Sequence, residues 1–416
     1  MGVPRARGLR GLPRVVWLLG FASLFNDVSS EAIFPLLPVY LAGLGGGMRF
    51  LGLVEGSADA LASAVKVVAG RLSDRGPRRL LVVGGYSLPA VARAGIAAAL
   101  RPWHVLGSRL LDRLGKGIRS GPRDALLADA AAEGDRGRAF GLQRSMDHLG
   151  AALGPLLASA MLACGASLGT TFAVAAGLGM AAPLVLLWRL EDPSPSGRGH
   201  SDSTETARGE GAHPSATPGD ASRGEGARPS AALGGPFRRY LVLSVLFALG
   251  NSTDAFLLAR AGEVGFSPAA VPLLWFGHHL VKTLTGAPGG ALSDRLPRGL
   301  VVAAGWGAYA LAYLGFALAA TRLQVALLFG GYALYHGLCE AAERALVSDL
   351  VGPGLRGRAY GWYHGAIGLG ALPAGLLTGW LWESFGSRTA LLACAVFASA
   401  AALGLAASPS LRRPSR

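Results

Sequence analysis

The stretch Gly70-Arg71-Leu72-Ser73-Asp74-Arg75-Gly76-Pro77-Arg78-Arg79-Leu80 returns as Gly290-Ala291-Leu292-Ser293-Asp294-Arg295-Leu296-Pro297-Arg298-Gly299-Leu300, 220 residues further on. A second stretch, "ADAAAEGDRGRAFG" from Ala128 to Gly141, returns as "SDLVGPGLRGRAYG" from Ser348 to Gly361 at the same offset of 220. Two independent landmarks sharing one offset mark an internal duplication. Outward from both copies the chain is a succession of apolar runs. Each is long enough to cross roughly 30 Å of hydrocarbon at about 1.5 Å per residue. Twelve spans are expected, near 14–43, 50–70, 79–100, 102–130, 138–164, 168–190, 237–261, 268–293, 299–319, 322–350, 358–383 and 388–407.

Composition agrees. Charged residues are 15% of the 416, against about 25% in a soluble domain, which argues against a soluble enzyme. The isoelectric point near 10.5 does not indicate nucleic-acid binding, because the basic residues are scattered between apolar runs. Cys164, Cys339 and Cys394 are too widely spaced for a zinc motif. No HExxH motif occurs, and no paired catalytic His and Asp with a supporting motif is seen, so no enzyme, catalytic residue, metal or cofactor is expected. Arg5, Arg7, Arg10 and Arg14 precede the first run without a small-residue cleavage site, which reads as an uncleaved first span. With both termini cytoplasmic, the inner loops hold most of the arginines, and only Arg49, Arg101, Arg260, Arg322 and Arg388 lie outside. Between the halves, residues 193–236 are rich in Gly, Ser, Pro, Ala and Arg and repeat "RGEGA". Such a composition buries no core and reads as a disordered cytoplasmic linker. The expected domains are therefore 1–192, 193–236 and 237–416.

Gly70 to Arg75 with Arg78 and Arg79, and the copy Gly290, Asp294 and Arg295, resemble the loop 2-3 and loop 8-9 signatures of the Major Facilitator Superfamily. Arg109-x-x-Asp112-x-x-Gly115-x-Gly117 resembles its span-four signature, with Asp112 in place of the usual Gln and Arg113 in place of a usual Gly. Gly150-x-x-x-Gly154-Pro155 resembles the span-five motif of many exporters. The segment from Arg109 to Asp129 also looks like a group of prokaryotic members. The resemblance implies an all-α membrane protein with twelve transmembrane helices in two pseudo-symmetric six-helix bundles. It also implies a central cavity lined mainly by spans 1, 4, 7 and 10, and alternating access between its two mouths. It makes Asp74, Arg75, Arg79, Asp294 and Arg295 a cytoplasmic gate, in which a carboxylate caps a neighbouring helix and pairs with basic groups.

Charge inside the spans points to the same cavity. Span 4 carries Arg109, Asp112, Arg113, Lys116, Arg119, Arg123 and Asp124, all within an arc of about 140°. Five cations facing lipid would cost on the order of 15 kcal/mol, so the stripe must face protein or water. Arg119, Arg123 and Asp124, nearer the cytoplasm, read as an ion-pair network of the gate. Arg109, Asp112, Arg113 and Lys116 read as cavity residues, with Asn26, Asn251 and Tyr332. Span 2 brings Glu55, Asp59 and Lys66 to one face. Span 10 carries His336, Glu340 and Glu343 within an arc of about 60°, which suggests attraction across the cavity to the cations of span 4. Only three lysines stand against 36 arginines, and all three (Lys66, Lys116 and Lys282) fall inside predicted spans, so Lys66 and Lys282 join the expected cavity residues. Lys, unlike Arg, can lose its proton when desolvated. Asp27, Glu31, Asp254, His336 and Glu340 are the candidates for proton coupling, because such groups at bilayer depth can change charge between states.

The reading that results is a secondary transporter of a small polar or anionic solute in the inner membrane, monomeric and proton-coupled. The Gly-Pro pattern of span 5 tilts it slightly to export. A hydrophobic-drug exporter and a divalent-metal or metal-chelate exporter using His148, His278, His279, His336 and His364 stay open as alternatives.

Overall fold

The computed structural model describes residues 11–73, 78–131, 135–190, 233–351 and 355–412. Among these no strand occurs. The helices follow the apolar runs closely. Span 1 is Arg14–Ile33, continued through the turn Phe34–Leu36 into Leu37–Gly43. Spans 2 to 6 are Met48–Ser73, Arg78–Ala97, Pro102–Ala130, Arg136–Ala163 and Leu168–Arg189. Span 7 is Gly235–Gly250 with Ala255–Glu263, and spans 8 to 10 are Val271–Arg295, Arg298–Leu318 and Arg322–Asp349. Spans 11 and 12 form one stretch, Arg356–Ala406, broken at Gly386. The expected linker lies outside the described residues up to position 232.

Six of these stretches are apolar enough to cross a membrane on composition alone, two of them joining span 7's pieces and spans 11 and 12. Spans 1, 2, 4, 8 and 10 do not qualify. A helix that carries charge and still crosses a bilayer must be screened by its neighbours.

The duplication persists in three dimensions. Left-handed glycines turn the chain at Gly45 and Gly265, and again at Gly165 and Gly386. The Arg78–Asp129 ion pair recurs as Arg298–Asp349. Spans 1 and 7, read as continuous in the sequence, are each interrupted. In span 1, Pro35 and Pro38 withhold backbone donors. In span 7, the Asn251-Ser252-Thr253-Asp254 side chains compete with the helix. The Tyr309 hydroxyl donates to the freed Gly250 carbonyl at 2.9 Å, and Tyr313 donates to Ser252 O at 3.4 Å.

The two halves meet where span 2 packs on span 11 and span 5 on span 8. A Cβ on Gly52 would sit 2.0 Å from the Gly375 carbonyl, and one on Gly375 would sit 2.5 Å from that of Gly52, so only glycine fits here. Beside this seam Arg49 pairs with Glu383 at 2.9 Å and donates to Ser384 Oγ at 2.9 Å. Ser159 donates to Ala269 O at 2.7 Å. On this side one apolar core runs from the second half into Leu37, Leu41, Leu51 and Val54 of the first. Toward the chain termini the first half has a separate core around Val16, Leu19, Val82 and Leu127. There Lys66, Asp124, Glu340 and Arg344 are exposed. The molecule is closed on the side of the 44–47 loop, where the contacts between the halves gather.

Candidate solute cavity

A polar cavity lies between spans 1 and 4, leaving about 80 Å³ for the centres of water-sized occupants. Span 1 presents Asn26, Asp27, Ser30, Glu31 and Phe34 to it, and span 3 presents Arg93. Span 4 supplies Arg109, Asp112, Arg113, Lys116 and Arg119. Glycines of span 5 set span 1 in place. A Cβ on Gly150 would lie 2.6 Å from Leu24 O, and one on Gly154 would lie 2.5 Å from Val28 O. The Gly150-x-x-x-Gly154 stripe thus brings span 5 against the backbone that carries Asp27 and Glu31.

Most of the charge is paired inside the first half. Arg109, 4% exposed, grips Glu55 of span 2 with two bonds of 2.7 Å. Arg113 lies 3.3 Å from Asp59 and 3.9 Å from Glu55. Arg93 holds Asp112 at 2.9 Å and donates to Asn26 O at 2.9 Å and Oδ1 at 3.1 Å. Arg119 lies over the Tyr86 ring at 4.4 Å and donates to Gly85 O. Arg123 contacts Asp124 and Ser23. Expected attraction from these cations to span 10 is not what the structure shows. Glu55 and Asp59 lie on the adjacent span 2, within reach of the same guanidinium groups. Glu343 turns into the second half, accepting from Trp306 Nε1 at 2.7 Å and the Tyr363 hydroxyl at 3.0 Å.

Lys116 is exposed to the cavity and has no carboxylate within ion-pair distance among the described residues; Lys66, exposed and likewise without such a carboxylate, does not line the cavity, nor does Lys282. Lys282 lies 3.7 Å from Glu340, which also meets Arg344 at 2.8 Å. Asn251 sits in the interruption of span 7. Tyr332, 1% exposed, turns from the cavity and donates to Asp254 at 2.6 Å. His336 packs edge-on to His278 and Tyr332. Asp27 accepts from the Asn26 amide at 2.7 Å. Glu31 crosses to the second half: Trp275 Nε1 donates to it at 2.8 Å, and His279 Nε2 lies 3.6 Å away.

Of the expected gate, Asp74 and Arg75 lie outside the described residues, as does the side chain of Asp294. Arg295 is exposed, and Arg79 donates to Leu187 O at 3.2 Å. The metal alternative has no cluster to stand on, since no three His, Cys, Asp or Glu side chains among the described residues are grouped to hold an ion. Arg93, Trp275, Trp306 and Tyr363 were not anticipated. Arg93 was detectable as the one charged residue of span 3 beyond Arg78 and Arg79 at its start. The aromatic donors carry no comparable mark.

Duplicated helical halves, with a charged cavity between spans 1 and 4 of the first, are the architecture of a secondary membrane transporter. The chain belongs to the Major Facilitator Superfamily, whose profile matches residues 19–274 and 240–416. It is 30% identical over 385 residues, 90% of each chain, to an uncharacterized MFS-type transporter of Methanocaldococcus jannaschii. It is likewise 30% identical over 388 residues to an uncharacterized protein of Mycobacterium tuberculosis, covering 89% of this chain and 87% of that one. Among solved structures it resembles a bacterial homolog of the human lysosomal transporter Spinster in an inward-facing, unoccupied conformation. The TM-score is 0.73 at 16% identity, over 96% of this chain and 97% of that one. It is a secondary transporter and not an enzyme.

Proposed function

We propose that this transporter moves a small polar or anionic solute across the cytoplasmic membrane, coupled to protons and with export favoured. In this reading both termini are cytoplasmic, the closed mouth is the outer one, and residues 193–236 tether two bundles, 1–192 and 237–416, of a monomer. The observation that carries it is Glu31. This carboxylate of span 1 contacts Trp275 and His279 of span 8 across the two halves, on the wall of the cavity that holds Lys116. A proton taken or released at the Glu31–His279 contact changes the attraction between the halves, which links protonation to rocking. The charged lining supports a polar cargo over a hydrophobic drug.

The test uses purified protein in liposomes loaded with a cell metabolite extract. Under an imposed pH gradient, mass spectrometry should show depletion of particular solutes, and Glu31→Gln should remove the dependence on the gradient. Depletion indifferent to the gradient and to an uncoupler, or no depletion at all, would refute the proposal.

A further inference from the structure

The pairing around the cavity is incomplete in one specific way. Arg93, Arg109 and Arg113 each have a carboxylate partner, and Arg119 has the face of Tyr86 and a backbone carbonyl. Glu31 is engaged by Trp275 and His279. Two charges of opposite sign are left over. Among the described residues Lys116 has no carboxylate within 4.0 Å, and Asp27 has no cation within 4.0 Å, only the neutral Asn26 amide at 2.7 Å. Both line the same cavity, one on span 4 and the other on span 1. They act on one another at longer range without closing into a pair.

From this we infer that the cargo is a zwitterion, with a carboxylate or phosphate taken by Lys116 and an ammonium taken by Asp27. This rests on the transport reading above and narrows its substrate class. Lys116 is exposed to the cavity and Asp27 half-buried; a charge set among helices and short of water lacks full compensation, and a ligand that supplies the missing partner provides it. A simple anion would answer Lys116 and bring its charge toward Asp27. A simple amine would answer Asp27 and repel Lys116. Only a solute with both groups satisfies the two walls together. Sites built to pair a buried polar group reject analogues that lack it far more strongly than apolar pockets reject a missing methylene. The lysine fits this role, being a compact charge on a flexible stem in a chain that otherwise uses arginine 36 times to three.

The test is ligand-induced thermal stabilisation of the purified full chain. The probes are ω-amino acids from glycine to 6-aminohexanoate and the α-amino acids, each beside its matched monocarboxylate and monoamine. At least one amino acid should stabilise the protein, with its two single-charge analogues at least tenfold weaker. Asp27→Asn should weaken that amino acid at least tenfold while leaving the weak response to the monocarboxylate. Lys116→Met should do the converse with the monoamine. A monocarboxylate or monoamine that matches its amino acid, or no response to any amino acid, overturns the zwitterion assignment. Wild-type selectivity decides even if a variant fails to fold. Gradient-dependent depletion of other solutes from the loaded liposomes would then leave the broader transport reading standing. Its absence would remove both.

Discussion

Replacing Arg109 by Met strands Glu55. That carboxylate is 1% exposed, and its two 2.7 Å bonds both come from the Arg109 guanidinium. What stays near it is Arg113 at 3.9 Å, itself closer to Asp59. Breaking a buried pair from one side costs about 3–5 kcal/mol, because an uncompensated charge remains. That corresponds to roughly 10²- to 10⁴-fold in the folded-to-unfolded ratio, at about 1.4 kcal/mol per decade. The reverse change is milder. Glu55→Gln keeps a neutral acceptor for one guanidinium N–H, and Arg109 still has Asp112 at 3.8 Å. Loss of the charge-assisted part should cost about 1.5–3 kcal/mol. The double variant no longer strands a carboxylate, so its cost should fall short of the sum by about 2 kcal/mol or more. The assay is reversible unfolding in mixed micelles by SDS titration, followed through the eight tryptophans. Additivity within about 0.5 kcal/mol, or a larger loss for Glu55→Gln than for Arg109→Met, would refute the claim that this pair is held out of water.

Gly154→Ala should lose about 1–3 kcal/mol, since the new Cβ lands 2.5 Å from Val28 O and 2.8 Å from Ala32 N. Gly107→Ala meets nothing within 4 Å and should gain about 0.4–1 kcal/mol; thermal unfolding of the two variants side by side checks both signs. Glu383→Gln removes a half-exposed pair worth about 0–1 kcal/mol of stability. Even so, it should lengthen the distance between spin labels at Gly43→Cys and Gly262→Cys, which flank the closed mouth on opposite halves. The Glu31–His279 contact is an ion pair only while His279 is protonated. His279→Asn removes the charge that this contact can carry, and the same labels should report a shift toward opening of the closed mouth; an unchanged distance would refute a role of the contact in closure.

Much of the fold was readable because a duplication announces itself twice. The offset of 220 that links two loop sequences also links Gly45 with Gly265 and Arg78–Asp129 with Arg298–Asp349. Helix ends followed the apolar runs because a bilayer leaves so little freedom in length. The arc on span 4 marked the face whose charged groups meet carboxylates of span 2 and Arg93 of span 3. Helical periodicity fixes a direction on one helix, however, and says nothing of which neighbour stands there. Arg109 and Arg113 therefore drew no specific link to Glu55 and Asp59, although all four had been placed on charged faces. The interruptions of spans 1 and 7 escaped for a related reason. Pro35 and the Asn251–Asp254 run are visible in sequence, but unwinding at bilayer depth depends on partners such as Tyr309 and Tyr313, which come from another helix.

The distribution of polar contacts explains how such a molecule can move. Within the first half, charge is locked into arginine–carboxylate pairs joining spans 2, 3 and 4. In the second half, two carboxylates are held by neutral donors, Asp254 by Tyr332 and Glu343 by Trp306 and Tyr363, while Glu340 meets Lys282 and Arg344. Each set stays internally satisfied when its half turns as a body. Contacts between the halves are of another order. Arg49 meets Glu383 and Ser384 at the rim, Ser159 meets Ala269, and Glu31 meets Trp275 and His279 at depth. Hydrogen bonds of these kinds contribute about 0.5–3 kcal/mol each. Their sum is on the scale that separates interconverting states, whereas stranding one buried charge costs as much as several of them. Rocking therefore breaks the seam and spares the interiors. Of the contacts between the halves among the described residues, only Glu31–His279 joins an ionisable group of the cavity wall to an ionisable group of the opposite half.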